Sequence, residues 1–330
     1  MITMDRQAVL AIDIGGTKFI VAVVRADGEI ILRKYCLTLA EDGPRAVIER
    51  LSKIIKKSIA QVKFADIKLI GVGVGVAGLV NQKRGRLTTS PNLPGWRNVA
   101  VEDAVSAASG LETYVINDAS AAALGESCFG AGRGFNNILY VTVSTGIGGG
   151  IILDGQLYTG TDGCAGEWGH MTIVPEGPKC HCGNFGCLEA LASGWAITKD
   201  AVTRINAGQV SMITDIVEGR IDDITAEIVG KAAKRGDRLA CDIVDAAANY
   251  LGIGLSNLVN IFNPELIVIG GGLSKMGNLL LCPARRVIRE RAFLLPAKTV
   301  RIVRASLGSN AGIVGAAAYV FGRSVKGVKA

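Results

Sequence analysis

This sequence of 330 residues contains no long apolar run. Because no stretch of about 18 consecutive apolar residues occurs, we expect no membrane-spanning helix. The first residues, Met1–Arg6, lack the apolar core of a signal peptide, so secretion is not expected either. Eight cysteines are too sparse for a disulfide scaffold in a chain of this length, which favours a reducing compartment and predicts a cytoplasmic protein.

The P-loop motif Gly-x-x-x-x-Gly-Lys-Ser/Thr is also absent, which excludes a P-loop NTPase. A dinucleotide-type pattern, Gly73-Val-Gly75-Val-Ala-Gly78, does occur at the end of a predicted strand. The residues that follow it, 79–85, have no amphipathic period, although a Rossmann site needs a helix there to receive the pyrophosphate. A nicotinamide-dependent dehydrogenase is therefore not predicted.

The composition is that of a globular protein apart from an excess of glycine. Apolar residues make up 49% of the chain and charged residues 20%, enough for a large core, and the length favours two domains. Lys and Arg outnumber Asp and Glu by 36 to 29, a net charge of +7 that suits an anionic ligand without indicating nucleic acid. The 43 glycines are about twice the average share, so close backbone approach is expected at several places.

Hydrophobic periodicity predicts two halves that begin alike, each with a strand, a glycine-rich turn and a returning strand before mixed α/β structure. This internal symmetry indicates two similar lobes. The predicted strands are Ala8–Ile14, Phe19–Arg25, Gly28–Tyr35, Ile67–Val76, Thr113–Ile116, Asn137–Val143, Gly150–Asp154 and Leu266–Ile269. The predicted helices are Pro44–Val62, Ala119–Phe129, Leu188–Asn206, Arg238–Phe262 and Asn310–Phe321.

Two glycine-rich turns have the composition of phosphate-binding loops. In Asp13-Ile-Gly15-Gly16-Thr17-Lys18 the glycines let backbone N–H groups approach phosphate oxygens, the threonine adds a hydroxyl donor and the lysine a positive charge. The aspartate at the end of the strand is placed to hold a hydrated Mg²⁺. Residues 144–150, Ser-Thr-Gly-Ile-Gly-Gly-Gly, predict a second such loop. An ordinary hairpin turn is the alternative for the first loop.

Residues 167–189 contain a set of soft metal ligands. Glu-Trp-Gly-His170 is followed by Cys180-His-Cys182-Gly-Asn-Phe-Gly-Cys187-Leu-Glu. One histidine and three thiolates supply the four ligands of a closed tetrahedral zinc site. His181 is a competing ligand, but it lies between two ligand cysteines, where simultaneous ligation is strained, so His170 is preferred. A redox-active cysteine pair or surface thiols are the alternatives.

Asn117-Asp118 falls at the junction between a predicted strand and the helix predicted over Ala119–Phe129. A helix N-terminus favours a carboxylate, and the end of a strand beside a cleft is a common place for a catalytic one. The alternative is that these residues simply cap the helix.

Together and in this order, the motifs resemble those of the ROK family of sugar kinases, and in particular its bacterial glucokinases. The resemblance covers about residues 8–322. It is carried by the two phosphate loops, Asn117-Asp118, Glu-x-Gly-His, Cys-x-Cys-Gly-x-x-Gly-Cys-x-Glu, Ser90-Pro-Asn-Leu-Pro-Gly-Trp96 and Ile269-Gly270-Gly271-Gly272.

The resemblance implies an α/β chain with the actin/hexokinase-like fold, in which two RNase H-like lobes surround a central cleft. The smaller N-terminal lobe would comprise residues 1–117 and 308–330 and carry the first phosphate loop. The larger lobe, residues 118–307, would carry the second phosphate loop, the zinc site and the nucleoside site.

The resemblance also implies roles for particular residues. Asp118 would be the catalytic base that accepts the proton of the sugar 6-hydroxyl. His170 would bind zinc through one ring nitrogen and face the sugar with the other. The zinc, one per chain, would be structural, since protein ligands fill all four positions. The implied sugar-binding residues are Asn92, Asn117, Asp118, Glu167, His170 and Glu189. The implied ATP and Mg²⁺ ligands are Asp13, Gly15, Gly16, Thr17, Lys18, Thr145, Gly146, Gly270, Gly271 and Gly272. The implied zinc ligands are His170, Cys180, Cys182 and Cys187.

These implications predict an ATP-dependent hexokinase that phosphorylates glucose at the 6-hydroxyl. The alternatives among enzymes are an N-acetylhexosamine kinase of the same family, acting on GlcNAc or ManNAc, and a glucokinase that uses polyphosphate. Sugar-sensing regulators of the family carry a helix-turn-helix domain of roughly 70–80 residues before the kinase-like part, and Asp13 leaves no room for one here. We expect a homodimer or homotetramer, with no nucleic-acid or membrane partner.

Overall fold

The computed structural model describes residues 7–63 and 67–326, with the backbone alone for 324–326. The segment Met1–Arg6, in which no signal peptide was predicted, lies outside the described residues. The strands are β1 Gln7–Ile14, β2 Lys18–Arg25, β3 Ile30–Leu37, β4 Lys68–Val76, β5 Leu79–Asn81, β6 Arg86–Thr89, β7 Arg97–Val99, β8 Thr113–Asn117, β9 Ile138–Val143, β10 Ile147–Leu153, β11 Gln156–Tyr158, β12 Leu266–Gly270 and β13 Arg301–Arg304. The helices are α1 Gly43–Lys63, α2 Val101–Ser109, α3 Asp118–Phe129, α4 Leu188–Ala192, α5 Gly194–Asn206, α6 Met212–Ile216, α7 Ala226–Lys234, α8 Arg238–Phe262, α9 Asn278–Arg291, α10 Leu294–Thr299 and α11 Ala311–Lys326.

Most of the predicted elements are present, and two need correction. The helix predicted over Leu188–Asn206 is two helices, α4 and α5, because Ser193 is extended (φ −80°, ψ 172°) and its side chain caps α5 by accepting the N–H of Ala196. The strand predicted to begin at Gly150 begins at Ile147, so that part of the glycine-rich run is strand rather than turn. Across the described residues, no helix combines the length and the apolar character needed to cross a bilayer.

The chain divides into two compact units. Unit 1 comprises Met1–Asn136, Gly150–Gly166 and Ser306–Ala330, and unit 2 comprises Asn137–Gly149 and Glu167–Ala305. They differ from the predicted lobes, 1–117 with 308–330 and 118–307, because residues 118–136 and 150–166 belong to unit 1. The physical reason is that helix α3 packs along helix α11 and also contacts strand β11.

The central strand of unit 1 is buried on both faces. The sheet has the order β3-β2-β1-β4-β8, in which β1 is antiparallel to β2 and parallel to β4. Leu10 and Ile12 belong to the core cluster that helices α1 and α2 cover. Val9 and Ala11 belong to the cluster on the other face, with Ile313 of α11. The near-continuous apolar sequence of β1 follows from this burial on two sides.

The second five-stranded sheet repeats the strand order of the first. Its order is β11-β10-β9-β12-β13, with β12 parallel to both β9 and β13, and β10 antiparallel to β11. The repeated order confirms the internal symmetry that the sequence predicted. A third sheet, β5-β6-β7, was not predicted because its strands have only three or four residues each.

The dinucleotide-type glycine pattern serves packing rather than cofactor binding. Gly73 and Gly75 lie inside β4, and strand β5 follows, so no helix begins there. A Cβ at Gly73 would overlap the carbonyl oxygen of Ala316 in α11. The glycine therefore lets helix α11 lie directly on the sheet.

Helices α3 and α11 pack so closely that Gly315→Ala is expected to destabilise the protein. A Cβ at Gly315 would overlap the carbonyl oxygen of Ala121, which is backbone and cannot move aside easily. Overpacking of this kind costs about 1–3 kcal/mol, which lowers Tm by roughly 2–10 °C in domains of this size. Gly322→Ala is the control, since nothing lies within 4 Å of a Cβ on that residue of the same helix. An equal Tm for both variants in thermal unfolding would contradict the expected close contact.

Candidate functional site

The first predicted phosphate loop is a tight turn between β1 and β2. The N–H of Gly15 donates to the carbonyl of Lys18 at 3.0 Å. The fully buried Thr38 donates its hydroxyl to the carbonyl of Gly15 at 2.7 Å and its N–H to that of Thr17 at 2.9 Å. The side chains of Thr17 and Lys18 remain exposed. Thr38 was missed from the sequence because it lies far along the chain, after β3.

The same loop lies against the predicted sugar-binding residue Asn92. A Cβ at Gly16 would overlap the carbonyl oxygen of Asn92, so only glycine permits this approach. The Asn92 side chain is exposed, and the backbone N–H of Asn92 donates to the hydroxyl of Ser90 at 3.2 Å. The structure therefore brings together two motifs that are about 75 residues apart in sequence.

Asp13 lies at the end of β1 in an environment that opposes its negative charge. Burial, followed by the charge of Asp118, raises the pKa of Asp13 to about 7, while the positive charges of Lys18 and Arg33 lower it. A Cβ at Gly312 would lie 3.2 Å from the Oδ2 atom of Asp13, so the beginning of α11 is close to this carboxyl. A divalent cation beside this carboxyl would favour its ionised form.

Arg33 on β3 is a charged residue near this site that the sequence did not single out. Its Nη1 atom donates to Oδ1 of Asn310 at 2.5 Å, and its guanidinium carbon lies 4.7 Å from the centre of the Tyr35 ring. The ring of Tyr35 also lies 5.5 Å from Nζ of Lys18. The alternation of β3 places Arg33 and Tyr35 on the same face, which was the available signal.

Asn117 and Asp118 lie where β8 meets α3, as predicted. The Oδ1 atom of Asn117 accepts the N–H groups of Ala119 and Ser120 at 2.9 and 3.1 Å, and its Nδ2 donates to the carbonyl of Gly78 at 3.0 Å. The capping alternative is therefore correct for Asn117. The Oδ1 atom of Asp118 accepts the N–H of Ala119 at 2.9 Å. Burial raises the pKa of Asp118, and this hydrogen bond offsets part of the increase.

Asp118→Asn is expected to raise the Tm of the ligand-free protein at pH 8. A carboxyl group whose pKa is raised on folding contributes stability that is complete below its unfolded pKa, about 3.9, and lost as the pH rises through the folded pKa. The ionised carboxylate thus costs stability near neutral pH, and the amide removes that cost. Thermal unfolding at pH 8 should therefore give a higher Tm for the variant than for the wild type. The difference in Tm should shrink as the pH is lowered toward the unfolded pKa, and a variant with lower Tm at pH 8 would contradict this account.

The second predicted phosphate loop, residues 144–149, is held by backbone hydrogen bonds within unit 2. The N–H of Ser144 donates to the carbonyl of Gly146 at 2.9 Å. The carbonyls of Ser144 and Thr145 accept the N–H groups of Gly194 and Trp195, where α5 begins, at 2.7 and 3.2 Å. The side chain of Thr145 is exposed.

The triple glycine after β12 lies beside this second loop. Strand β12 runs parallel to β9, with Gly270 opposite Thr142. A Cβ at Gly271, where φ is 81°, would overlap the carbonyl oxygen of Val143, so this position requires glycine. A Cβ at Gly272 would lie 3.8 Å from the hydroxyl of Ser144. Two of the predicted nucleotide-binding segments are thus neighbours in unit 2.

The four predicted zinc ligands converge on one point. The ligand atoms of His170, Cys180, Cys182 and Cys187 all lie within 4.8 Å of one another. The Sγ atoms of Cys182 and Cys187 are 3.7 Å apart, and Sγ of Cys180 is 3.8 Å from Nδ1 of His170. A tetrahedral zinc ion with bonds of about 2.3 Å to sulfur places its ligand atoms about 3.8 Å apart. The residues therefore fit a zinc ion with no open position.

The cysteine loop is a tight turn, and His181 lies outside the cluster of converging ligand atoms. The N–H of Cys180 donates to the carbonyl of Asn184 at 2.8 Å, and Gly183 has a φ of 96°. The ring of His181 stacks on Trp195, with centroids 4.3 Å apart and planes at 28°. Burial, followed by hydrogen bonds with neighbouring thiols, raises the pKa of Cys187 to about 12, so a cation is needed to hold it as a thiolate.

Glu167 and Glu189, both predicted to bind sugar, flank this candidate metal centre in unit 2. The carbonyl of Glu167 accepts the N–H of His170 at 3.1 Å, which closes the short turn that carries the histidine. The Oε1 atom of Glu189 lies 3.8 Å from Sγ of Cys180, and its Oε2 atom accepts the N–H of Ile147 at 2.9 Å. Glu189 thus contacts both the metal centre and the second loop.

Comparison with known proteins places these features in a family. The model of the ROK family matches residues 9–323. The glucokinase of Thermotoga maritima is 36% identical over 319 residues, 96% of this chain and 98% of that protein. A putative xylose repressor of a Caldicellulosiruptor species is 35% identical over 312 residues, 94% of this chain and 77% of that protein. A crystal structure of a ROK family glucokinase from Streptomyces griseus, in complex with glucose and AMPPNP, has a TM-score of 0.79 at 36% identity, covering 94% of this chain and 98% of that one.

The structural similarity to this glucokinase covers 94% of the chain. It confirms the α/β, actin/hexokinase-like fold that the motifs implied. Sequence similarity extends over the same residues, with more than a third of positions identical to the glucokinase of Thermotoga maritima. Since the family model also matches residues 9–323, the chain belongs to the ROK family.

Proposed function

We propose that this protein is an ATP-dependent glucokinase, which transfers the γ-phosphoryl group of ATP to the 6-hydroxyl of glucose. The observation that carries the proposal is the similarity, over 94% of the chain, to the Streptomyces griseus glucokinase solved with glucose and AMPPNP. The relative from Thermotoga maritima is also a glucokinase. The arrangement of residues within each unit supports this activity.

Asp118 is the proposed general base that accepts the proton of the 6-hydroxyl as the new P–O bond forms. Burial raises the pKa of its carboxyl, so that it binds a proton more tightly than an exposed aspartate does. The neighbouring Asn117 is an amide and cannot accept the proton, and its side chain is engaged in capping α3. Its proposed part in sugar binding is limited to the remaining N–H of Nδ2.

Phosphoryl transfer needs mainly positioning and neutralisation of charge, because the transferred group passes through a loose transition state. The backbone N–H groups of residues 15–18 and 145–146 and the ammonium group of Lys18 are the proposed phosphate donors. Asp13 is the proposed ligand of the Mg²⁺ that accompanies ATP. Gly270–Gly272 have no side chains, and they are proposed to let the nucleoside approach the end of β12.

Glucose is proposed to be held by Asn92, Glu167, His170 and Glu189 in addition to Asn117 and Asp118. Nδ1 of His170 faces the thiols, which leaves Nε2 for a sugar hydroxyl. Fixed acceptors for several hydroxyl groups discriminate against sugars that lack one of them, because a buried acceptor would then lose its partner.

Zinc is the proposed metal at His170, Cys180, Cys182 and Cys187, with one ion per chain. When bound, it would act as a structural cross-link, since four protein ligands leave no position for substrate. Its effect on the sugar would pass through His170 and the loop that leads to Glu189. Thiol ligands require a reducing compartment, and we therefore propose a cytoplasmic location. The predicted homodimer or homotetramer stays a prediction, which light scattering of the purified protein would test.

The test is a phosphorylation assay across glucose, mannose, fructose, xylose, N-acetylglucosamine and N-acetylmannosamine, each with ATP and with polyphosphate. We expect the highest kcat/KM for glucose with ATP, by at least about 10-fold over the acetamido sugars, because the 2-hydroxyl is replaced there. Coupling to glucose-6-phosphate dehydrogenase identifies the product position. A higher kcat/KM for either acetamido sugar would make this an N-acetylhexosamine kinase, and sugar binding without turnover would indicate a sensor.

A further inference from the structure

The second phosphate loop is held on several sides by the segments that carry the metal ligands. Besides the bonds from Gly194 and Trp195, the N–H of Ile147 donates to the carboxylate of Glu189 at 2.9 Å. The indole N–H of Trp168, two residues before His170, donates to the carbonyl of Gly148 at 3.2 Å. The loop and the metal centre are therefore physically continuous within unit 2.

Glu189 contacts both the second loop and one of the proposed metal ligands. Its Oε2 atom accepts the N–H of Ile147, and a Cβ at Gly146 would overlap the same oxygen, so the carboxylate presses against the loop backbone. Its Oε1 atom lies 3.8 Å from Sγ of Cys180. One carboxylate therefore touches a metal ligand with one oxygen and the phosphate loop with the other.

The residues before His170 make a parallel contact with the same loop. A Cβ at Gly149 would overlap the ring of Trp168, and a Cβ at Gly169 would overlap the carbonyl oxygen of Ile147. Trp168 and Gly169 are both buried. Displacing His170 from the metal centre would thus release a packed neighbour of the loop.

We propose that Glu189 is a positioning residue that couples the metal centre to the nucleotide-binding loop at residues 144–149. When the metal holds Cys180 and its neighbours in place, Glu189 in turn holds the loop in the conformation that binds nucleotide. This inference rests on the proposed function, because it takes the loop at residues 144–149 to bind the phosphates of ATP. The metal centre would then support ATP binding as well as the binding of sugar. A charge-assisted hydrogen bond to a backbone N–H is roughly twice as strong as a neutral one, so removing the negative charge of Glu189 should weaken this bond and loosen the loop measurably.

The test compares wild-type protein with Glu189→Gln, both loaded with zinc and without sugar. The amide retains the size of the side chain and an oxygen that can accept the Ile147 N–H, but it lacks the negative charge that strengthens this hydrogen bond. It also leaves the four proposed metal ligands in place. We expect an unchanged zinc content, about 5-fold faster hydrogen exchange at the Ile147 amide, and AMPPNP bound about 5-fold more weakly in calorimetry, because a neutral acceptor binds the Ile147 N–H less tightly than a carboxylate does. Glu176→Gln is the matched control, since Glu176 is exposed on the same segment.

Removing the metal provides the second arm. Chelated wild-type protein should lose AMPPNP affinity to a similar extent, whereas chelation of Glu189→Gln should cost less than it costs the wild type, because the two changes act on one route. If chelation weakens AMPPNP binding by the same factor in Glu189→Gln as in the wild type, the two changes act independently, and the proposal is overturned. Unchanged Ile147 exchange and AMPPNP affinity in Glu189→Gln, with glucose affinity lost, would also overturn it and leave Glu189 as a sugar ligand alone.

These outcomes are separate from those that test the proposed function. If the wild type fails to phosphorylate glucose, the proposed substrate is wrong, while AMPPNP binding and Ile147 exchange still report on the loop. If chelation unfolds the protein, as seen by circular dichroism, the comparison between Glu189→Gln and Glu176→Gln decides, because both retain the four ligands.

Discussion

Replacing Asp118 by asparagine is expected to lower kcat by about 10²–10⁴. The sugar hydroxyl is a poor nucleophile, and its proton must leave as the bond to phosphorus forms. Asparagine is nearly isosteric and keeps an oxygen that can accept the N–H of Ala119, so α3 should remain intact. The variant therefore removes the proton acceptor and little else.

The KM for glucose should change much less than kcat in this variant. An amide pairs a hydroxyl more weakly than a carboxylate does, so a modest increase is expected. The measurements are steady-state kinetics and glucose binding by calorimetry, on protein with verified zinc content and an unfolding transition no lower than that of the wild type.

Asp222→Asn is a suitable control, because that aspartate is exposed and far along the chain in unit 2. It should retain wild-type kcat. If Asp118→Asn kept more than about a tenth of kcat, the general base would have to be another carboxylate, of which Glu167 and Glu189 are the candidates.

Replacing Cys182 by alanine is expected to remove the zinc and weaken glucose binding by about 10–100-fold. Cys182 is exposed, so the substitution opens no cavity, and its main effect is the loss of one of four ligands. Without the ion, the turn that carries His170 and the loop that leads to Glu189 are no longer joined. Both residues are proposed to hold the sugar.

The neighbouring His181→Ala is the matched control for this experiment. Its ring stacks on Trp195 and is not part of the ligand set, so the variant should retain about one zinc per chain. Metal content is measured by inductively coupled plasma mass spectrometry, and glucose affinity is measured by calorimetry. A Cys182→Ala protein that has no zinc but binds glucose normally would show that the metal does not organise the sugar site.

Local patterns predicted the features whose determinants lie close together in the chain. Helix α8 has its predicted limits, Arg238–Phe262, because apolar residues recur at helical spacing over its whole length. Three of the four proposed zinc ligands fall within eight residues, so a metal-binding chemistry could be predicted from their spacing. His170 was preferred over His181 on grounds of strain, and the convergence of ligand atoms agrees with that choice.

The features that the sequence did not predict depend on contacts between distant residues. Thr38 holds the first loop from beyond β3, and Arg33 meets Asn310 across 277 positions. The small sheet β5-β6-β7 has strands too short to show a period. The interruption at Ser193 was hidden because helical residues continue on both sides of it.

The sequence by itself determined most strands of the two large sheets, helices α1, α3, α8 and α11, the two glycine-rich loops, the cluster of candidate metal ligands and the family, because each of these is encoded by residue type at short spacing. Only the tertiary structure decided which of these pieces touch. Asp13 acquires its raised pKa from burial and from Asp118, which is more than a hundred residues away in sequence. Likewise the Glu189 carboxylate meets the N–H of Ile147 because packing in unit 2 brings α4 to the start of β10. Electrostatics and hydrogen bonding depend on distance in space, and that distance is set by the packed core rather than by local periodicity.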